Sequence, residues 1–219
     1  MGHPSTGDDA PLLRTKQARI THALRKAILD GHLAPGTRLI IDGLARHFSV
    51  SPIPVREALQ ALRAERLIDI TPHTGTLVTG LDLSTVPEIL ALLEGVEMAT
   101  FRLAAERAKP EDLTALDDLL TAMEATRDDH QWAELNASFH GLIPVLAKTP
   151  RTQEILQRIT VDWNRLRRWF FHDHPRRDRD HANAEHRAMV HALRLRDVEH
   201  LDVLVRAHYR AVLAHYVRS

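Results

Sequence analysis

The 219-residue sequence predicts a mainly α-helical protein, in which an N-terminal winged helix-turn-helix precedes an antiparallel bundle of six helices. The first 80 residues combine three segments of helical periodicity with two alternating, strand-like segments, LIDIT and TLVTG, joined by the turn PHTG. From Val86 onward every periodic segment is helical. The predicted organisation is therefore a disordered lead-in at 1–13, a winged helix-turn-helix at 14–80, a linker at 81–85 and an all-α domain at 86–219.

The composition is that of a folded protein, with 44% hydrophobic and 26% charged residues. The absence of cysteine excludes disulfides and thiolate metal sites, and it fits the reducing cytoplasm that we predict as the location. No apolar run approaches the ~20 residues that a membrane span needs, so we expect no membrane partner. The formal net charge of zero argues against a protein that coats nucleic acid indiscriminately.

The first unit is expected to contain helices at 14–30, 41–48 and 52–64. Ser51 suits the N-cap of the third helix, and Pro52 suits its first turn. Arg56 points outward on that helix, because the apolar positions that face inward are Val55, Leu59 and Leu62. Gly75 can take a positive φ in the connection between the strands. A helix presented by a turn and followed by a wing is a DNA-reading arrangement; the alternative is a small structural α+β domain.

The second unit is expected to contain helices at 88–108, 110–129, 131–149, 151–172, 185–197 and 198–217. Pro144 predicts a break or kink in the third of these. The polar stretch at 173–184 is predicted to be a loop that runs into the start of a helix. Short connections favour an antiparallel bundle.

Several motifs occur in a fixed order along the chain. They are GHLAPGTRL, LARHFSVS, PVREALQALRAERLI and PHTGTLV in the first unit, and NASFH, EHRAMVHALRLRD and RAHYRAVL in the second. In these motifs the chain resembles GntR-family transcription regulators of the FadR type with an FCD effector domain, and its six C-terminal helices resemble the VanR-like branch. The resemblance implies a homodimer that binds two-fold, double-stranded operator DNA and responds to a small carboxylate effector.

The resemblance also implies which residues meet the DNA. Arg56 can give two hydrogen bonds to guanine or one charged contact to phosphate, and the amides beside Ser51 suit a phosphate. Members of the family usually carry arginine where this chain has Pro52, so we expect an atypical operator with an apolar contact from Ile53. A scaffold with an inactive DNA-binding head is an alternative that Pro52 leaves open. The full predicted set is Arg46, Ser51, Ile53, Arg56, His73 and Gly75.

A metal site is implied in the second unit. Asn136 and His140 are four residues apart, so both project from one face of a helix. The resemblance adds His186 and His208, and the four together would hold a divalent ion, with Zn²⁺ as the first choice and Ni²⁺ or Mn²⁺ as alternatives. Open coordination positions would take the carboxylate of the effector. The amide of Asn136 carries no charge, so compared with an aspartate it predicts weaker metal retention or greater reliance on the effector's own carboxylate.

The predicted effector pocket contains Leu93 and Glu97. Leu93 stands where the family often has an arginine, so either Arg165 or Arg168 supplies the positive charge or the effector is less acidic. The tryptophans at 132, 163 and 169 belong either to the core or to the pocket wall.

A zinc-dependent hydrolase is the alternative function, because three histidines with an open position also suit catalysis. Glu185 is adjacent to His186, but neighbouring helical residues diverge by about 100°, so it should point away from the metal. The chain has no H-E-x-x-H pairing. We therefore predict a regulator and not an enzyme.

Overall fold

The computed structural model describes residues 15–71, 75–170 and 179–217. The predicted lead-in at 1–13, His73 and the first part of the loop at 173–184 lie outside the described residues. The chain divides into two compact units between Leu81 and Asp82. No described helix is long and apolar enough to cross a membrane.

The first unit contains three helices, α1 (Lys16–Leu29), α2 (Ile41–Phe48) and α3 (Pro52–Ala64), and their bounds agree with the predicted ones to within two residues. Thr15 caps α1, because its hydroxyl accepts a 3.0 Å hydrogen bond from the backbone N–H of Ala18. Helices α1 and α3 pack together through the apolar faces that the periodicity predicts. The buried residues of this contact include Ile20, Leu24, Ile28, Val55, Leu59 and Leu62.

Three antiparallel strands complete the first unit: β1 (Arg38–Leu39), β2 (Ile68–Thr71) and β3 (Gly75–Val78), with β3 in the middle. The two predicted strands correspond to β2 and β3. Strand β1 was not predicted, because two residues are too few to show an alternating pattern. Thr71 pairs with Gly75, so β2 and β3 are the two strands of the wing.

The second unit contains six α-helices in its described residues, as predicted, and no strand. They are α4 (Val86–Arg107), α5 (Thr114–Ala125), α6 (Asp129–Leu146), α7 (Pro150–Phe170), α8 (Arg179–Leu195) and α9 (Val198–Val217). Helix α4 lies at the centre and packs against α6, α7, α8 and α9. Phe101 on α4 and Phe139 on α6 are fully buried in the resulting core.

Helix bounds in the second unit differ from the prediction at several places; α5 ends at Ala125, four residues early, and α6 runs over Asp129–Leu146 rather than 131–149. The expected break at Pro144 is wrong, because α6 runs on through this proline. Pro144 lies in the last turn, where its missing N–H withdraws only one hydrogen bond, from the carbonyl of His140. The segment at Pro110–Leu113 is a 3₁₀ turn before α5. Helix α8 begins at Arg179, six residues before the predicted start.

Arginine contacts fix the central helix against the α8–α9 connection. The guanidinium of Arg196 donates hydrogen bonds to the backbone carbonyls of Ala105 and Glu106, at 2.8 and 2.9 Å, near the C-terminal end of α4. Arg102 on α4 donates from Nε to Asp202 Oδ1 on α9 at 2.8 Å. These bonds hold α4, α8 and α9 in register, and those helices carry much of the histidine site.

Candidate functional site

The turn between α2 and α3 spans Ser49, Val50 and Ser51. Ser49 adopts a left-handed conformation with φ of 54°, and its N–H bonds back to the end of α2. Ser51 occupies the N-cap position of α3, as predicted, but its side chain makes no capping hydrogen bond. Ser51 is exposed, and because Pro52 and Pro54 lack an N–H, only Ile53 and Val55 offer backbone donors in the first four positions of the helix.

The outward face of α3 carries one apolar and one basic side chain. Ile53 is 62% exposed, which is unusual for an isoleucine, and Arg56 is also exposed. The two lie three residues apart and therefore on the same face of the helix. Arg46 on α2 is exposed and shares a surface depression with Ser51. Of the predicted DNA contacts, Arg46, Ser51, Ile53 and Arg56 are thus exposed, whereas Gly75 is partly buried.

Strand β1, which pairs with β3 of the wing, carries a basic residue that the sequence reasoning missed, Arg38. Gly75 has φ of +92°, a conformation that favours glycine. A β-carbon at Gly75 would lie 3.3 Å from Nη2 of Arg38, so the guanidinium of Arg38 covers the start of β3. Arg38 is part of the motif GHLAPGTRL, but the sequence does not show that this segment pairs with β3.

Three histidines from three helices meet in the second unit. His140 comes from α6, His186 from α8 and His208 from α9. One nitrogen of each ring lies within 4.8 Å of the others, and the ring centroids are 4.9 to 5.5 Å apart. His186 and His208 are buried, whereas the side chain of His140 is 17% exposed. The cluster is therefore closed on one side and accessible from the side of α6.

Carboxylates flank two of the three imidazoles. Oε2 of Glu185 lies 2.8 Å from Nδ1 of His208, and its other oxygen lies 3.1 Å from Nε2 of His181. Oε1 of Glu97 lies 2.8 Å from Nδ1 of His140, a close contact that is not aligned as a hydrogen bond. In His208, where Nδ1 is hydrogen-bonded to Glu185, Nε2 is the ring nitrogen that can ligate a metal. Carboxylates commonly orient metal-binding histidines in this way.

The carboxylate of Glu185 therefore contacts the ring of His208 and does not face the open side of the cluster. The side chain of Glu185 is only 15% exposed, and the contact with His208 crosses from α8 to α9. A general base for a metal-bound water would have to reach the open side. The prediction that Glu185 points away from the metal stays a prediction, since the Glu185 carboxylate lies against the ring of His208.

A cavity of about 350 Å³ opens beside the histidines. Asn136, His140 and His208 line it, as do the predicted pocket residues Leu93 and Glu97. The remaining wall is mainly apolar and aromatic, and its larger members are Leu90, Trp132, Leu156, Trp163, Tyr209, Val212 and Tyr216. Trp132 and Trp163 thus belong to the pocket wall, whereas Trp169 is not among the lining residues.

The arginine of the cavity is not one of the two that were predicted. Arg165 is buried and Arg168 is exposed, and neither lines the cavity. Arg167 lines it instead. Burial lowers the pKa of the Arg167 guanidinium, although an arginine retains its charge at neutral pH. The predicted residues differ from Arg167 by one or two positions along α7, and each position turns the side chain by about 100° around the helix axis.

Tyr209 adds a protonated phenol to the wall. Burial raises the pKa of Tyr209 well above its usual value, and the neighbouring carboxylate of Glu97 raises it further. The phenol therefore remains a hydrogen-bond donor at neutral pH.

The chain matches two known protein families. Residues 16–78 match the gntR family of bacterial regulatory proteins, and residues 88–211 match the FCD domain. The HTH-type transcriptional regulator BphR of Paraburkholderia xenovorans is 28% identical over 202 residues, which cover 87% of this chain and 81% of that protein. McbR of Escherichia coli, also an HTH-type transcriptional regulator, is 28% identical over 161 residues, 72% of each chain.

Solved structures have the same fold. The E. coli McbR/YncC structure superposes with a TM-score of 0.75 at 23% identity, covering 94% of this chain and 99% of that one. A GntR transcriptional regulator from Rhodococcus sp. RHA1 gives 0.74 at 22% identity, covering 93% and 98%. The relatives are regulators and not enzymes, in agreement with the prediction. The chain therefore belongs to the gntR family of bacterial regulatory proteins and carries an FCD domain in its C-terminal unit.

Proposed function

We propose that this DNA-binding transcriptional regulator is a repressor controlled by a small organic acid that binds beside a divalent metal ion. The observation that carries the proposal is the cluster of His140, His186 and His208 within the FCD domain, of which His140 and His208 line a cavity. The regulator would act in the cytoplasm as a homodimer on a two-fold operator. Six described helices in the second unit support its placement in the VanR-like branch.

The DNA-binding part of the proposal rests on the exposed face of α3. Arg56 can read guanine or contact a phosphate, and Ile53 can contact a thymine methyl group. Arg46, Ser51, His73 and the wing at Gly75 would add backbone contacts. Because Pro52 can donate no hydrogen bond to a base, the preferred operator would differ from that of family members with arginine there.

The donor set fits a divalent metal. Neutral imidazoles suit Zn²⁺, with Ni²⁺ and Mn²⁺ as alternatives, and Glu185 and Glu97 are placed to orient two of the rings. The amide oxygen of Asn136, one helical turn before His140 and also at the cavity wall, would be the fourth ligand. A bound ion would supply positive charge and open coordination positions for an effector carboxylate.

Effector and operator affinities are linked in this proposal. If the effector binds more tightly to the form with low DNA affinity, the operator weakens effector binding by the same factor. We expect a coupling of about 1–3 kcal/mol, or roughly 5- to 150-fold. Residues 14–80 would read the operator, and residues 86–219 would bind the effector and form the dimer.

A mobility-shift assay on the promoter region beside the protein's own gene tests the proposal. The native protein should form a specific complex at physiological salt. The His186→Ala variant should still form it but should no longer respond to metal and effector. Absence of a specific complex with folded, dimeric protein would contradict the DNA-binding role, whereas an unchanged response of His186→Ala would contradict the metal-dependent role.

A further inference from the structure

The cavity extends well beyond the histidine cluster. On α9 its lining residues run from His208 to Tyr216, eight positions that span about 12 Å at the helical rise of ~1.5 Å per residue. On α7 the lining residues continue to Arg167. A carboxylate beside the histidines would therefore fill only part of the cavity.

Trp163, Arg167 and Tyr216 form the end of the cavity on this side, here called the distal end. Trp163 and Arg167 are four residues apart on α7 and share a face. The rings of Trp163 and Tyr216 meet edge to face, with centroids 5.3 Å apart, which brings the C-terminal parts of α7 and α9 together. Tyr216 also lies close enough to Arg167 to raise the pKa of its guanidinium, against the lowering by burial.

Arg167 has no carboxylate partner among the described residues. The arginines at 102, 187 and 194, by contrast, each pair with an Asp or Glu in the same unit. A half-buried guanidinium in a largely apolar wall is expected to gain stabilisation from an anion, because its charge is partly removed from water. The walls between the histidines and Arg167 are mainly apolar and aromatic, with Gln157, Thr160 and Asn164 as polar members, and this lining suits a largely apolar ligand body.

We propose that the effector is an elongated, largely apolar molecule with an anionic group at each end, one beside the histidine cluster and one on the guanidinium of Arg167. The inference rests on the proposed function, since it takes the metal-binding end from there. It adds the ligand class: a diacid long enough to reach from the histidine cluster to Arg167 at the distal end of the cavity. Arg167 thereby supplies on α7 a positive charge that Leu93 lacks on α4.

Paired acids provide the test. Linear α,ω-dicarboxylates of increasing length, each matched with the monocarboxylate of equal carbon number, are titrated into the Zn²⁺-loaded full chain by calorimetry. The dicarboxylate that reaches the distal end should bind about 10- to 100-fold more tightly than its monocarboxylate, the effect of a hydrogen bond to a charged group. In Arg167→Gln this difference should vanish while monocarboxylate affinity stays the same. The exposed Arg168→Gln control should retain the difference.

The two proposals fail in different ways. Equal, metal-dependent affinity of both acids for the native chain would overturn the diacid inference and leave the proposed function standing. Binding of neither acid to the Zn²⁺-loaded chain would overturn both. If Arg167→Gln does not fold, Arg167→Lys keeps the positive charge, and the comparison of acids on the native chain decides the question.

Discussion

Removal of the Glu185 carboxylate should weaken metal binding without removing a ligand. Oε2 of Glu185 lies 2.8 Å from Nδ1 of His208, so in the proposed metal site the carboxylate would fix the ring orientation and leave Nε2 as the ligating nitrogen. The side chains of Glu185 and His208 are only 15% and 6% exposed, so solvent screens this contact poorly. Glu185 would therefore act as a positioning residue for the proposed metal site.

The expected loss can be estimated from the contact. Removal of such an orienting partner typically weakens metal affinity 10- to 100-fold, or about 1.4–2.8 kcal/mol. Glu185→Gln keeps an oxygen acceptor of the same size and loses only the charge, so about tenfold is expected. Glu185→Ala also removes the acceptor, so about 100-fold is expected.

Competition with a chromophoric Zn²⁺ chelator measures these affinities. Glu154→Gln is the matched control, because Glu154 is exposed on α7 and is not among the residues of the cavity. His208→Ala serves as the reference for loss of a ligand. Zinc affinity of Glu185→Ala equal to that of the native protein, together with a large loss in His208→Ala, would refute the positioning role.

Three further outcomes follow from the structure. Arg56→Ala should weaken operator binding by about 1–3 kcal/mol in fluorescence anisotropy. Arg63 is exposed near the other end of α3, so Arg63→Ala should change operator binding little. Equal losses of operator affinity in the two variants would argue against base reading by Arg56. Leu62→Ala should lower the free energy of unfolding of the first unit by about 2–5 kcal/mol in urea denaturation, because Leu62 is 0% exposed, and a loss below 1 kcal/mol would contradict the packing. The hydrogen bond from Arg102 lowers the pKa of Asp202. The stabilising contribution of the Asp202 carboxylate is therefore present above its unfolded-state pKa and is lost as the pH falls through its folded-state pKa. Asp202→Asn should accordingly be less stable than the native protein at pH 7 but not in strong acid. A stability difference that persists in acid would exclude the ion pair with Arg102 as its cause.

Much of the fold could be predicted because it depends on local periodicity. Helices α2 and α3 begin and end where the sequence indicates, since turn residues bound them and their apolar positions recur at helical spacing. Two features of the fold differ from the local pattern. Strand β1 is too short to show alternation. Pro144 does not break α6, because it falls in the last turn, where the loss of one hydrogen bond is tolerated.

The site was less predictable because its details depend on contacts between distant helices. Residue spacing and family resemblance point to His140, His186 and His208, which the structure brings together. The contact of Glu185 with His208 joins two helices, and no sequence pattern reports such a pairing. Arg167 was missed for neighbours one position away, because a single residue changes the direction of a helical side chain by about 100°.

Native mass spectrometry of protein purified without chelator tests the central claim most directly. We predict a mass equal to two chains plus one divalent ion per chain, and loss of that ion in His186→Ala without loss of the dimer. Retention of the same metal content by His186→Ala, or a metal-free native dimer that takes up no added Zn²⁺, would contradict the assignment of the histidine cluster as a metal site.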